Sequence, residues 1–152
     1  MQVDFYQVSG DSAEAIVAML AEKTLAAGQR LLVVAAEPAQ REAIGQALWS
    51  RAARDGTPTF LANGIAGEGH EARQPILLSA TPEPANGARF VVLADGAWRE
   101  EAADPERFDR AFLVFDAATL EAARACWRML AAREGLERNF WKQDGGRWVK
   151  AA

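Results

Sequence analysis

Leu31-Leu32-Val33-Val34-Ala35-Ala36 is apolar at every position. A strand with one wet face alternates apolar and polar residues, so an unbroken apolar run of this length marks a central parallel strand covered by helices on both sides. Pro38 follows at a point where the first turn of a helix tolerates a missing N–H, and a helix is predicted to about Arg54 with Ile44, Ala47, Leu48 and Arg51 on one side. Upstream, Val3 to Val8 is a short β-rich run broken by Ser9-Gly10-Asp11. A helix with Ile16, Met19 and Leu20 at helical spacing comes next, with Asp11 and Glu14 as the expected N-terminal cap and Gly28 as its close.

Downstream, residues 55–75 hold Gly, Pro and polar residues without apolar periodicity and read as a long loop. Pro75 to Leu78, Phe90 to Leu93 and Ala111 to Phe115 read as three more strands. Between them lie a turn with two prolines, Thr81 to Gly87, and an acidic connector, Glu100 to Arg110. A last helix is predicted over about 117–134, ending at Gly135, and a basic tail with tryptophans follows over 136–152, with a hairpin turn at Asp144-Gly145. This order predicts an α/β protein: a single three-layer Rossmann-like domain over residues 1–152, with a mainly parallel sheet of about five strands and three main helices. No internal repeat is visible.

The 152 residues are 50% hydrophobic and 25% charged, a globular composition with enough apolar surface for a packed core. No apolar run approaches a membrane span, and the start of the chain lacks a basic segment with an apolar signal core, so the expected location is the cytoplasm, away from membranes. One cysteine, Cys126, excludes an internal disulfide, and one histidine, His70, leaves too few ligands for a zinc module. Charge is unevenly placed: up to Ala123 there are 10 Lys and Arg against 18 Asp and Glu, and from Arg124 onward 7 against 3. A basic end on an acidic body suits an anionic partner.

Catalytic machinery is not visible in the sequence. The turn after the first strand, Ser9-Gly10-Asp11-Ser12, is not a GxGxxG loop, no GxxxxGK[ST] occurs, and the cluster Gly64 to Gly69 precedes a strand rather than a helix. Glu68-Gly69-His70-Glu71 has no recognised ligand spacing, Cys126 has no histidine near it in sequence, and no GxSxG elbow is present. No metal or cofactor is expected. The last helix is more informative. At 100° per residue Leu120, Ala123, Cys126, Trp127 and Leu130 share an apolar face, with Arg124 and Arg128 stacked along its border. An indole flanked by two guanidiniums suits a ligand with an apolar group and a carboxylate, although an amphipathic helix with a solvated border has the same pattern. Trp49 at a helix end and Phe60 and Leu61 in the loop are either core plugs or anchors for a protein partner.

Val3-Asp4-Phe5-Tyr6-Gln7-Val8, Trp49 followed by Thr59-Phe60-Leu61, the Ile65-Ala-Gly67-Glu-Gly69 loop, the Pro75-Ile-Leu-Leu strand and Ala123-Arg124-x-x-Trp127-Arg128 together resemble the chi subunit of bacterial DNA polymerase III, over nearly the whole chain. The resemblance implies a non-catalytic clamp-loader accessory of Rossmann-like fold acting at the replication fork. It implies two partners: the psi subunit, met by Trp49, Phe60 and Leu61, and the acidic, phenylalanine-ended tail of single-stranded DNA-binding protein, met by Arg124, Trp127 and Arg128. DNA would be contacted only indirectly. Here Ala62-Asn63 stand where the family often has Pro-His, and the tail beyond Gly135 is longer. Two other readings are a small nucleotide-binding α/β enzyme with an atypical phosphate loop, and a direct single-strand DNA binder using Trp141 and Trp148 of the basic tail.

Overall fold

The computed structural model describes residues 1–51, 60–145 and 147–152. The predicted helix end at Arg54, and Thr59 with the first part of the expected loop, lie outside the described residues. The described elements are β1 (Gln2–Gln7), α1 (Ala13–Ala26), β2 (Leu31–Val34), α2 (Pro38–Trp49), β3 (Asn63–Ile65), β4 (Ile76–Ser79), β5 (Phe90–Leu93), β6 (Arg110–Phe115), α3 (Leu120–Leu130), β7 (Glu137–Asp144) and β8 (Arg147–Lys150). Among them the strands form one sheet of eight in the order β3-β4-β2-β5-β6-β1-β7-β8, parallel throughout except for the β7–β8 hairpin. The α/β class and the parallel sheet are as predicted; the strand number is corrected from about five to eight.

Strand alternation divides the core. On one face Tyr6, Val8, Leu31, Val33, Ile76, Leu78, Phe112 and Val114 pack under α1 and α2. On the other, Val3, Phe5, Leu32, Val34, Leu77, Leu113 and Phe115 form one cluster with Ala102, Ala103 and Phe108 of the β5–β6 connection and Ala123, Cys126 and Leu130 of α3. β2 is buried at all four positions because α1 covers one face and the second core cluster the other, as its apolar run required. Pro38 opens α2 as expected. The cap of α1 is corrected: Ser12, not Asp11, accepts the Ala15 N–H at 3.1 Å. Gly28 does follow the helix in the left-handed region, at φ 76°.

Three further corrections concern the connections. Part of the expected loop forms β3 on the edge of β4, followed by a short 3-10 helix over Glu71–Arg73. The acidic connector is not simply solvated: its 3-10 helix, Glu100–Ala103, buries Ala102 and Ala103, and Phe108 is wholly buried. The last helix is shorter than predicted. A 3-10 turn over Ala117–Thr119, capped by Asp116 through the amides of Ala118 and Thr119, leads into an α-helix that ends at Leu130, and the positive φ of Gly135 comes after further turns.

The tail is a structural part of the sheet, since β7 pairs in parallel with β1 from Gln2↔Glu137 to Gln7↔Lys142. A buried carboxylate clamps this junction. Asp4, fully enclosed, accepts from Arg110 Nε at 2.7 Å, Gln2 Nε2 at 3.0 and 3.1 Å, Asn139 Nδ2 at 3.0 Å and Trp141 Nε1 at 3.4 Å. It therefore joins β6, β1 and β7. Asp4→Ala, which strands the Arg110 guanidinium and the Asn139 amide, is expected to cost about 3 kcal/mol in urea unfolding, the low end for a broken buried pair because Arg110 is partly exposed. Asp4→Asn is expected to lose less, and an unchanged midpoint in both variants would contradict the clamp.

Candidate functional site

α3 places its side chains by its own periodicity. Ala123, Cys126 and Leu130 point into the core, and Trp127 rides half-buried at their border. Its ring meets Phe5 edge-on at 5.3 Å and Phe140 edge-on at 5.6 Å, so β1 and β7 form the floor beneath the indole. Arg124 and Arg128 stand exposed one turn apart, as the helical spacing required. Arg124 lies 3.1 Å from Glu121, but both side chains face solvent, where such a pair holds its charge only weakly. Arg128 forms no ion pair among the described residues.

The structure adds a third cation. Arg138 lays its guanidinium 4.1 Å over the Trp127 ring, and its Nη1 donates to the Trp127 carbonyl. Arg138 and Phe140 are two apart on β7 and so share the α3 face of the sheet. Sequence reading missed this residue because it took 136–152 as a tail; recognising a strand there would have supplied the parity. A fourth arginine is engaged elsewhere: Arg133 pairs with Glu100, whose carboxyl the Trp98 indole N–H, at 2.8 Å, and then Arg133 hold below the usual carboxylate range.

The second predicted cluster divides. Trp49 is 49% exposed and Phe60 69%, whereas Leu61 is 6% exposed and belongs to the core under α2. Leu61 thereby takes the core-plug place that the sequence left open: its N–H donates to the Leu48 carbonyl at 3.0 Å and fixes the chain beside the helix end where Trp49 stands. Ile65 on β3, not expected as a contact residue from the sequence, is also exposed, and a groove of about 220 Å³ runs between α2 and β3 past Trp49 and Ile65. An outward indole, phenyl and isoleucine beside an edge strand form an apolar patch of the kind that anchors protein partners.

Other chemistry is poorly supported by the geometry. Open parallel sheets take ligands at the carboxyl ends of their strands. Here that crevice, about 400 Å³, is lined by Asp11, Asp95 and Asp116, of which Asp95 is already paired with Arg99 at 2.8 Å. Burial works to raise the Asp95 carboxyl, but its hydrogen bonds from Arg99 and from the Ala36 and Ala97 amides outweigh this and hold it below the usual range. Among the described residues no three or more His, Cys, Asp or Glu are grouped to hold a metal ion. Exposed His70 lies between β3 and β4 at one edge of the sheet, while Cys126 is buried under α3 on the far side of β5.

The fold and these surfaces define the class: a Rossmann-like α/β protein whose distinctive features are a cationic aromatic helix face and an exposed apolar patch. The family model of the DNA polymerase III chi subunit, HolC, matches residues 1–137. The chain belongs to this family, and its role is that of an accessory subunit of DNA polymerase III. Among curated proteins, none matches the chain. Trp49, Phe60, Arg124, Trp127 and Arg128 all fall inside the matched residues, while Arg138, Trp141 and Trp148 lie beyond them.

Burial, and after it the charge of Glu100, pushes the Cys126 thiol up to about 12. The native protein is therefore expected to resist disulfide-exchange reagents at pH 8 and to react promptly once unfolded in urea, measured by release of the reporter thiolate. Because the folded state favours the neutral thiol, the stability it contributes is present below pH 9 and is lost as the pH rises towards 12.

Proposed function

We propose that this chain is the link between the clamp loader and single-stranded DNA-binding protein in the bacterial cytoplasm, as one domain with no catalytic step of its own. Trp49 and Phe60 pack against the psi subunit, held in place by buried Leu61. Arg124, Trp127 and Arg128 take the acidic, phenylalanine-ended tail of single-stranded DNA-binding protein, and this site meets DNA only through that partner.

The observation that carries the reading is the state of the α3 surface: the Trp127 ring is half-buried, and of its two flanking helix arginines only Arg124 has an acidic partner among the described residues, a solvent-exposed one. A carboxylate arriving there displaces little, and two guanidiniums one turn apart offer it forked donors while the indole supplies contact area. Arg138 joins this reading as the residue that holds the ring flat and adds positive charge above it. The Glu-rich body repels the tail elsewhere, which steers it to the basic end.

Titration of a labelled acidic peptide ending in Phe is the direct test. Arg124→Ala and Arg128→Ala are each expected to weaken binding by about 1–3 kcal/mol, roughly 5- to 150-fold, and Arg138→Ala is expected to weaken it less. Affinity should also fall as salt rises. Peptide affinity unchanged in both helix variants would reject the site. Trp49→Ala and Phe60→Ala are expected to abolish copurification with psi, each at a cost of about 2 kcal/mol or more, while leaving peptide affinity intact.

A further inference from the structure

The sheet face that carries α1 has a second opening. Beside the last turns of α1, over β5, β6, β1 and β7, lies a cavity of about 300 Å³, near the lower end of the range for small-ligand sites. Its walls are aromatic. Tyr6 lies nearly parallel to Trp141 at 6.3 Å and takes Trp148 edge-on at 5.0 Å, while Phe112 lies 6.1 Å from Tyr6 and 6.3 Å from Phe90. The two indoles come from the β7–β8 hairpin, beyond the residues matched by the family model.

Among the described residues its charged groups are cationic. Exposed Lys23 stands on the rim with no ion pair among the described residues. Arg110 lies in the wall, its guanidinium 4.8 Å over Phe112 and its Nε tied to Asp4, so that its two terminal nitrogens carry no hydrogen bond among the described residues. Lys150 is opposite Trp141 in the β7–β8 register and so on the same face. Among the described residues no Asp or Glu lines this cavity, in contrast to the crevice at the carboxyl ends of the strands. Asp4, behind it, is already occupied by four donor side chains. The Tyr6 hydroxyl, pushed up to about 12 by burial and by Asp4, stays a neutral donor.

We infer that this cavity binds one nucleotide, with the base among Tyr6, Trp141 and Trp148 and the phosphate at Lys23 and Arg110. A planar base has the π-faces that indole and phenol rings accept without regard to sequence, and its phosphate needs the charge that those cations supply. The cations beside the aromatic cage favour a phosphorylated ring over an uncharged one, and Lys150 extends the positive track by one position, as a continuing strand would need. The ligand chemistry is shared by a free nucleotide and by one residue of a single strand. This inference rests on a different face from the peptide site and stands or falls independently of it.

The test is a tryptophan-fluorescence titration of the full chain with two probes, a single-stranded dT15 oligonucleotide and free dTMP. Saturable quenching by either supports the proposal when the affinity falls at least about fivefold in both Trp148→Ala and Lys23→Ala and largely returns in Trp148→Phe. A response to dT15 alone assigns the pocket to a strand, and an equal response to dTMP assigns it to the free nucleotide. Lys23 is an exposed helix residue, so that variant stays informative if Trp148→Ala misfolds. No quenching by either probe, or quenching insensitive to Lys23→Ala, overturns the proposal. So does an acidic Phe-ended peptide whose binding needs Lys23 and Trp148 while both nucleotide probes are inert.

Discussion

The carboxylate of Asp4 is the constraint on which the rest of the structure depends. A charge buried in the middle of a sheet is tolerated only when donors surround it, and those donors come from three adjacent strands: Gln2 from β1 itself, Arg110 from β6, and Asn139 and Trp141 from β7. The cluster ties β7 to β1, more than 130 residues away in the chain. With β7 fixed, Phe140 lies beneath Trp127 on one face and Trp141 stands beside Tyr6 on the other. One buried ion pair thus sets the floor of both aromatic surfaces.

Charge differs between the faces. Asp11, Asp95 and Asp116 line the crevice at the carboxyl ends of the strands, the place that a dinucleotide-binding relative of this architecture would use for phosphate. Arg124 and Arg128 on α3, with Arg138, Lys142, Arg147 and Lys150 on the terminal hairpin, make the opposite contribution. In this member of the chi family the architecture keeps its sheet while its aromatic and charged groups lie on outer faces.

The parts of the fold legible in the sequence were those that depend on local patterning. The wholly apolar Leu31–Val34 run announced a central strand, Pro38 a helix start, and the spacing of Ala123, Trp127 and Leu130 a helix with one buried side. The missed strands lacked such a pattern. β3 is three residues with a central glycine, and β7, Glu137-Arg-Asn-Phe-Trp-Lys-Gln-Asp144, carries only two apolar residues because part of it faces solvent. Leu61 and Phe60 show the same limit in the site: adjacent and both apolar, they differ in exposure because a single backbone bond to Leu48 turns one inward.

By itself, then, the sequence determined the layer order, the helix faces and the pairing of Arg124 with Arg128, because a helix or a covered strand imposes its period on a few successive residues. Tertiary structure alone decided that Arg138 would cap Trp127, that Leu61 would be core, and that Trp141 and Trp148 would wall a cavity. Each of these depends on pairing or packing between segments far apart in the chain, set by the buried clamp at Asp4 or by the docking of the loop against α2, and no local period encodes it.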